Sequence, residues 1–287
     1  MTWLSYIFAS AATLALYDIC KKHSAAGNRT FNVLLLTSTS GFLTVLATLA
    51  ATGGLAPMFA LAPREYVLLG VKSLVVSTSW ALAYMALKTL PITVMAPIRA
   101  TGPVWTTLAA LAIYKEIPSA IQALGFALAF TGSFAFSLAT RREGFTLHSK
   151  AIVLAIAATL AGSASALYDK FILNSLKIPP KAVLFWFMFA MSVIYAIAVA
   201  ITRKSDKTRF EWRWTIPFVG VLLAMSDFCY FSALSSPEAR ISVISTIRRV
   251  STVATFVIGG ALFHEKNLLR KGIALAAIIA GVVLLAV

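Results

Sequence analysis

Apolar residues run along this chain in stretches of about 20, the length a helix needs to cross the hydrocarbon core of a bilayer. Ten such stretches stand out: Thr2–Ala25, Phe31–Thr52, Tyr66–Leu87, Thr93–Tyr114, Ala120–Ala139, Lys150–Leu173, Lys181–Thr202, Thr215–Leu234, Ile241–Phe263 and Lys271–Val287. We number them spans one to ten. The connections between them are short and hold helix breakers, among them Gly53-Gly54, Leu90-Pro91, Ile117-Pro118, Pro179-Pro180 and Ser236-Pro237. The longest polar stretch, Arg203–Arg213, is too short for a soluble domain. The pattern predicts an all-α integral membrane protein with ten transmembrane helices.

Composition points the same way. Of 287 residues, 60% are hydrophobic and only 12% are charged, where a soluble chain has about a quarter charged. Mean hydropathy is +0.87. The formal charge is +15, from 25 Lys and Arg against 10 Asp and Glu. In a soluble chain that balance would suggest nucleic acid. Here it reads as loops facing anionic lipid, with no nucleic-acid partner. Five basic residues lie well inside spans (Lys72, Arg99, Lys170, Arg248, Arg249), and five stand in or at the edge of connections after even-numbered spans (Arg64, Lys115, Lys177, Lys181, Arg240). The other fifteen follow odd-numbered spans, so the positive-inside rule favours termini outside. Cys20 and Cys229 both sit in apolar runs, with no disulfide framework or metal spacing. The N-terminus has no basic region ahead of its apolar run, so no cleaved signal peptide is expected. Asn28-Arg29-Thr30 matches a glycosylation sequon, but the Ala-rich chain looks bacterial, which suggests the inner (cell) membrane.

Motifs of the first half return in the second. Ala15-Leu16-Tyr17-Asp18 in span one recurs as Ala166-Leu167-Tyr168-Asp169 in span six. Arg99 matches Arg248, Lys115-Glu116 matches His264-Glu265, and Gly132 matches Gly281, all at a constant offset of 149. Residues 1–140 and 150–287 therefore read as two five-helix repeats. Five is odd, so the second must run inverted through the membrane. Inverted repeats are a transporter architecture, with the substrate site near the midplane and one half rocking against the other. The repeat alone predicts secondary active transport of a small molecule by alternating access.

Ten spans in a five-plus-five repeat, with Glu116 and Glu265 closing spans four and nine ahead of a Gly-bearing span, resemble the EamA-type drug/metabolite transporter superfamily. The resemblance covers essentially the whole chain. It implies that spans one to four and six to nine surround a central cavity, that spans five and ten lie at the back, and that the termini are cytoplasmic, against the charge count. The triose-phosphate translocators of the same superfamily hold phosphate with basic residues of spans four and nine, including an adjacent basic pair on span nine. Arg99 and Arg248-Arg249 look similar to these.

Eight ionisable residues fall well inside the spans: Lys72, Arg99, Lys170, Arg248 and Arg249 against Asp18, Asp169 and Asp227. Each costs about 2.5–3.5 kcal/mol on insertion scales, which makes an intramembrane charge a functional candidate by default. The excess of positive charge asks for an anionic ligand, a carboxylate or phosphate, of the kind Arg grips bidentately. Arg99 and Arg248 should approach the cavity from pseudo-symmetric directions. Adjacent helical residues point about 100° apart, so Arg248 and Arg249 cannot both face one ligand. The structural alternative pairs one of them with Asp169 or Asp227. Asp18 and Asp169 form a second symmetric pair, either counter-ions of Arg99 and Arg248 or carriers of a coupling proton. Asp18 also stands at helical salt-bridge spacing from Lys21 and Lys22. Lys72 has no mate, Val219 standing where one is expected, and Trp80 sits opposite Asp227. Such asymmetry suits a substrate with two unlike ends. Glu116 and Glu265 read as interfacial structural groups.

Tyr17, Trp80, Tyr84, Tyr168 and Tyr230 are candidate substrate contacts, and Trp186 lies on a face open to the same role. Trp3, Trp212 and Trp214 read as interfacial anchors. Ser38, Ser40, Gly41, Ser163 and Ser165 read as close-packing positions. The sequence has no P-loop, His-Glu-x-x-His or Gly-x-Ser-x-Gly motif. No enzyme, catalytic residue, metal or cofactor is therefore expected. The expected partners are a small-molecule substrate, the lipid bilayer, and a proton or exchanged metabolite, for a monomer or homodimer. The rival within transport is an exporter of amino acids or of cationic or amphipathic compounds. The rival outside it is an intramembrane enzyme or lipid scramblase.

Overall fold

The computed structural model describes residues 3–114, 119–141, 149–203, 208–236, 244, 247–248, 250–265 and 267–285. Among the described residues there is no strand. The helices are α1 (Trp3–Ala25), α2 (Thr30–Ala51), α3 (Pro63–Leu87), α4 (Ile92–Ala100), α5 (Gly102–Tyr114), α6 (Ala120–Arg141), α7 (Lys150–Lys170), α8 (Pro180–Thr202), α9 (Thr215–Leu234), α10 (Val250–Leu262) and α11 (Leu268–Leu285). A short 3₁₀ turn spans Ala56–Phe59, and α7 runs on as a π turn over Phe171–Ser175. Six of these helices, α1, α2, α3, α7 with its π turn, α8 and α9, are each long and apolar enough to cross a membrane. The protein is an all-α integral membrane protein.

Local chemistry sets the helix ends. Gly27 and Gly53 hold φ of +65° and +67°, a left-handed conformation that glycine adopts without strain, and stop α1 and α2. Pro63 and Pro180 open α3 and α8, where a missing N–H costs nothing. Span four was expected as one helix and is two. Pro103 has no amide proton for the carbonyl of Arg99, so the ladder breaks at Thr101 and resumes with Val104 N–H donating to Thr101 O at 2.9 Å. The Gly102 carbonyl, in the first turn of α5, accepts from Thr106 Oγ1 at 3.1 Å and from Ser163 Oγ of α7 at 3.0 Å. Asn28 is buried and exchanges hydrogen bonds with the Glu211 backbone at 2.7 and 3.0 Å. The sequon side chain is thus a clip between two turns.

The two halves of the chain interleave. α1 packs on α9, α3 on α7 and α8, α2 on α8 and α9, α4 on α10, and α6 on α11. Exchanging first-half for second-half helices returns the same set of pairs. In lipid no hydrophobic drive pulls helices together, so close approach and interhelical hydrogen bonds must do it. Ser10 of α1 donates to Ser226 O of α9 at 2.9 Å, and Ser226 Oγ donates back to Ser10 O at 3.1 Å. Ser40 of α2 donates to Pro217 O of α9 at 2.9 Å, beside the crossing of Gly41 and Gly220. The outer surface carries Leu74, Leu124, Phe134, Ile201 and Ile273, all exposed. Such a surface is stable in lipid and would drive aggregation in water.

The α6–α11 crossing depends on glycine. A methyl group at Gly281 would meet Ala129 N at 2.5 Å and Gly125 O at 2.6 Å, while one at Gly70 in α3 would meet nothing within 4 Å. Gly281→Ala should cost about 1–3 kcal/mol by overpacking. Gly70→Ala should be neutral or slightly stabilising through helix propensity. Thermal unfolding of the purified protein in detergent checks both, and equal melting temperatures would contradict this crossing.

Candidate functional site

A cavity of about 180 Å³ lies where the two halves meet. Tyr17 of α1, Lys72, Ser79 and Trp80 of α3, and Arg99 and Gly102 at the α4–α5 break form one side. Thr159, Ser163 and Asp169 of α7, Phe187 of α8, Asp227, Tyr230 and Phe231 of α9, and Arg248 ahead of α10 form the other. Arg99 stands at the end of α4, and Gly102, Pro103 and Thr106 beyond the break line the same cavity.

Three ion pairs organise the site. Lys72 and Asp169 make a close, buried hydrogen-bonded pair, and Lys72 Nζ lies 5.0 and 4.9 Å from the ring centres of Phe187 and Phe231. Arg248 Nη2 donates to Asp227 at 2.8 Å, and its guanidinium lies 4.1 Å over the Tyr230 ring. Arg99 Nη1 lies 3.5 Å from Asp18, which sits in a smaller neighbouring pocket also lined by Arg99. The Arg99 side chain is 36% exposed, against 17% for Arg248 and 2% for Lys72. Arg248 Nε is buried with no hydrogen-bond partner among the described residues. Aromatic faces beside Lys72 and Arg248 add cation–π attraction that strengthens as water is excluded.

The pairing breaks the sequence symmetry. Asp18 faces Arg99, so the repeat predicts Asp169 against Arg248. Instead Asp169 takes Lys72, and Arg248 takes Asp227. The two residues without mates in the other half, Lys72 and Asp227, have each captured one member of the symmetric pair. Sequence reading offered a span-nine Arg either Asp169 or Asp227; Arg248 takes Asp227, and the symmetric pairing of Asp169 with Arg248 is corrected. The local pairing of Asp18 with Lys21 or Lys22 does not form either. Lys22 donates to the carbonyls of Leu87 and Leu90, and Lys21 turns the other way.

Of the aromatics expected at the site, Tyr17, Trp80 and Tyr230 line the cavity, while Tyr84 and Tyr168 do not. Tyr84 is fully buried behind the wall. Tyr168 donates to Leu68 O at 3.2 Å and leans on Phe171, because one helical position separates it from Asp169 and turns it about 100° away. Trp186 is drawn off into a cluster with Phe59, Tyr66 and Phe189, its Nε1 donating to Met58 O at 2.7 Å. Lys170 is exposed at the end of α7, so part of the expected excess charge lies outside the site. Arg249 and Glu116 lie outside the described residues.

Sequence reasoning missed two things. Thr159, Gly162, Ser163 and Ala166 line the cavity at the i, i+3, i+4, i+7 spacing of one helix face, a signal that was legible but read as packing at Ser163 and Ser165. Lys21, at the end of span one, was counted with the connection that follows and read only as a partner of Asp18, yet it is 1% exposed within α1. Its Nζ lies 4.8, 5.2 and 5.7 Å from the ring centres of Tyr84, Tyr17 and Trp80. The spacing Tyr17-to-Lys21 of i, i+4 was visible, but the rings of α3 were not.

The chain matches the EamA-like transporter family over residues 1–138 and 149–287. A solved crystal structure shares the fold at a TM-score of 0.71 and 15% identity, covering 98% of this chain and 96% of its own. No curated protein sequence matches significantly. The chain belongs to the EamA-like transporter family and is a multi-pass membrane transporter of the drug/metabolite type.

Removing one member of a buried ion pair strands the other, which costs about 3–5 kcal/mol, whereas replacing both by apolar residues of similar size is often neutral. Lys72→Met should therefore lower thermal stability sharply, and Lys72→Met with Asp169→Leu should recover most of the loss. Additive losses in the double variant would contradict the pair.

Proposed function

We propose that this protein is a secondary active transporter that moves a small anionic metabolite, a carboxylate or phosphorylated compound, by alternating access. Residues 1–140 and 150–287 are its two inverted halves, and the cell membrane of a bacterium is its location. The observation that carries the anionic reading is the meeting of two guanidinium groups at one cavity, Arg99 partly exposed and Arg248 with a buried Nε donor unfilled by any described residue. A planar carboxylate or phosphate oxygen pair fits donors of that geometry. The three carboxylates near the cavity each face a base in this conformation, which leaves them less open to a cationic substrate. Tyr17, Trp80 and Tyr230 supply the walls against the rest of the molecule.

In this reading the anion competes with Asp18 for Arg99 and with Asp227 for Arg248, and the freed carboxylates take other partners as the halves rock. A proton or a counter-moving metabolite completes the cycle. The experiment is uptake of labelled organophosphates, carboxylates and amines into proteoliposomes. Arg99→Ala and Arg248→Ala should each cut anion uptake about tenfold or more, since a hydrogen bond to a charged group contributes about 1.5–3 kcal/mol. Unchanged anion uptake in both variants, or accumulation of amines alone, would contradict the anionic reading.

A further inference from the structure

Glu265, just beyond α10, reaches across to the first turn of α4. Its carboxylate accepts from the amides of Ile92 at 2.7 Å and Thr93 at 2.9 Å and from the Thr93 hydroxyl. It thus caps a helix whose own sequence offers Pro91 at the capping position and no side-chain cap. Lys271 of α11, fully buried, donates to the same Thr93 hydroxyl at 2.9 Å. From α1, Lys22 donates to the carbonyls of Leu87 and Leu90 on the other side of the same turn. The α3–α4 turn is therefore held by an acid and two bases from three different segments, far more than a surface turn needs.

Directly behind that turn lies the second pocket, of about 30 Å³, room for little more than a water molecule. Leu87 and Ile92, both held in the clamp, line it, as do Asp18, Thr252 and Thr255. Arg99 lines both this pocket and the central cavity. Thr255 Oγ1 is buried there with no hydrogen-bond partner among the described residues. Cavity, Arg99, small pocket and clamped turn thus form one series leading to the end of the bundle.

We propose that the small pocket is the collapsed half of the translocation path, and that Glu265, with Lys22 and Lys271, is the latch that holds it shut in this conformation. Substrate leaves by this end when the first turn of α4 lets go of Glu265 and swings aside, exposing the hydroxyls of Thr252 and Thr255. The sequence repeats the acid and the turn it caps at the same offset, Glu116 for Glu265 and Ile241-Ser242 for Ile92-Thr93, but not the bases, Gln122 standing in place of Lys271. Glu116, Ile241 and Ser242 lie outside the described residues, but they give the opposite end the residue types for an acid cap of its own.

The inference rests on the transporter reading, and its test needs no substrate. In a Cys20→Ser, Cys229→Ser background, Thr252→Cys is exposed to a charged, membrane-impermeant methanethiosulfonate on the face that carries Glu265. Adding Glu265→Ala should raise the modification rate about tenfold or more, the factor set by losing one charge-assisted hydrogen bond from the closed state. Thr93→Val and Lys271→Met, which leave the amide bonds to Glu265 in place, should raise it by a smaller factor and remain informative where Glu265→Ala fails to fold. A rate unchanged by all of these variants would overturn the latch. A raised rate, alongside failure of labelled carboxylates and organophosphates to enter proteoliposomes, would support the latch and contradict the anionic reading of the substrate.

Discussion

A charge inside a bilayer-spanning bundle must find a partner or stay near water, and the interior of this protein is arranged around that constraint. Lys72 faces Asp169, Arg248 faces Asp227 and Arg99 faces Asp18, all around one cavity. Lys21, with no carboxylate against it among the described residues, lies among three aromatic rings instead. An isolated buried charge costs several kcal/mol even after relaxation. Charge therefore ties α1 to α4, α3 to α7, and α9 to Arg248 ahead of α10, where lipid alone would let them part. Pairs of this kind are points at which partners can be exchanged, because two acids and three bases line the same cavity.

Exchange is what the broken symmetry supplies. Two identical halves would give two identical pairs, Asp18 with Arg99 and Asp169 with Arg248, and no reason to prefer one side of the membrane. Lys72 and Asp227, each without a counterpart in the other half, redirect the second pair. The cavity that results has unlike ends, a partly exposed guanidinium on one side and a tightly paired, aromatic-backed one on the other. On the proposed reading, such a site would orient an asymmetric molecule. At the end of the bundle, Glu265 caps the same α4 whose other end presents Arg99 to the cavity, so the helix that lines the cavity is also the helix that is clamped.

Much of this was legible in the sequence, for identifiable reasons. Apolar length located the helices to within a few residues, because the bilayer demands a fixed span. The α4–α5 break escaped, although Gly102-Pro103 announces it, since a span-length apolar run hides a local fault. Arg99, Arg248, Asp169 and Asp227 were found because charge is rare enough in lipid to be informative one residue at a time. Their pairing was legible only in part, since it depends on which helices touch: repeat symmetry pointed rightly to Asp18 for Arg99 and wrongly to Asp169 for Arg248. Tyr84 and Tyr168 were misplaced for a related reason: an aromatic residue in an all-apolar helix carries no sign of the face it occupies. Glu265 was visible only as a helix-end acid, its partners standing 172 and 173 positions away.

Ligand-induced stabilisation of the purified protein probes the paired cavity without any assumption about direction or coupling. Thermal unfolding across a metabolite panel should show upward shifts for compounds bearing a carboxylate or phosphate, reduced by added salt and abolished in Arg248→Gln, whose buried Nε donor is gone. Stabilisation by amines alone, or by anions equally well in Arg248→Gln, would contradict a substrate site built on the two guanidinium groups.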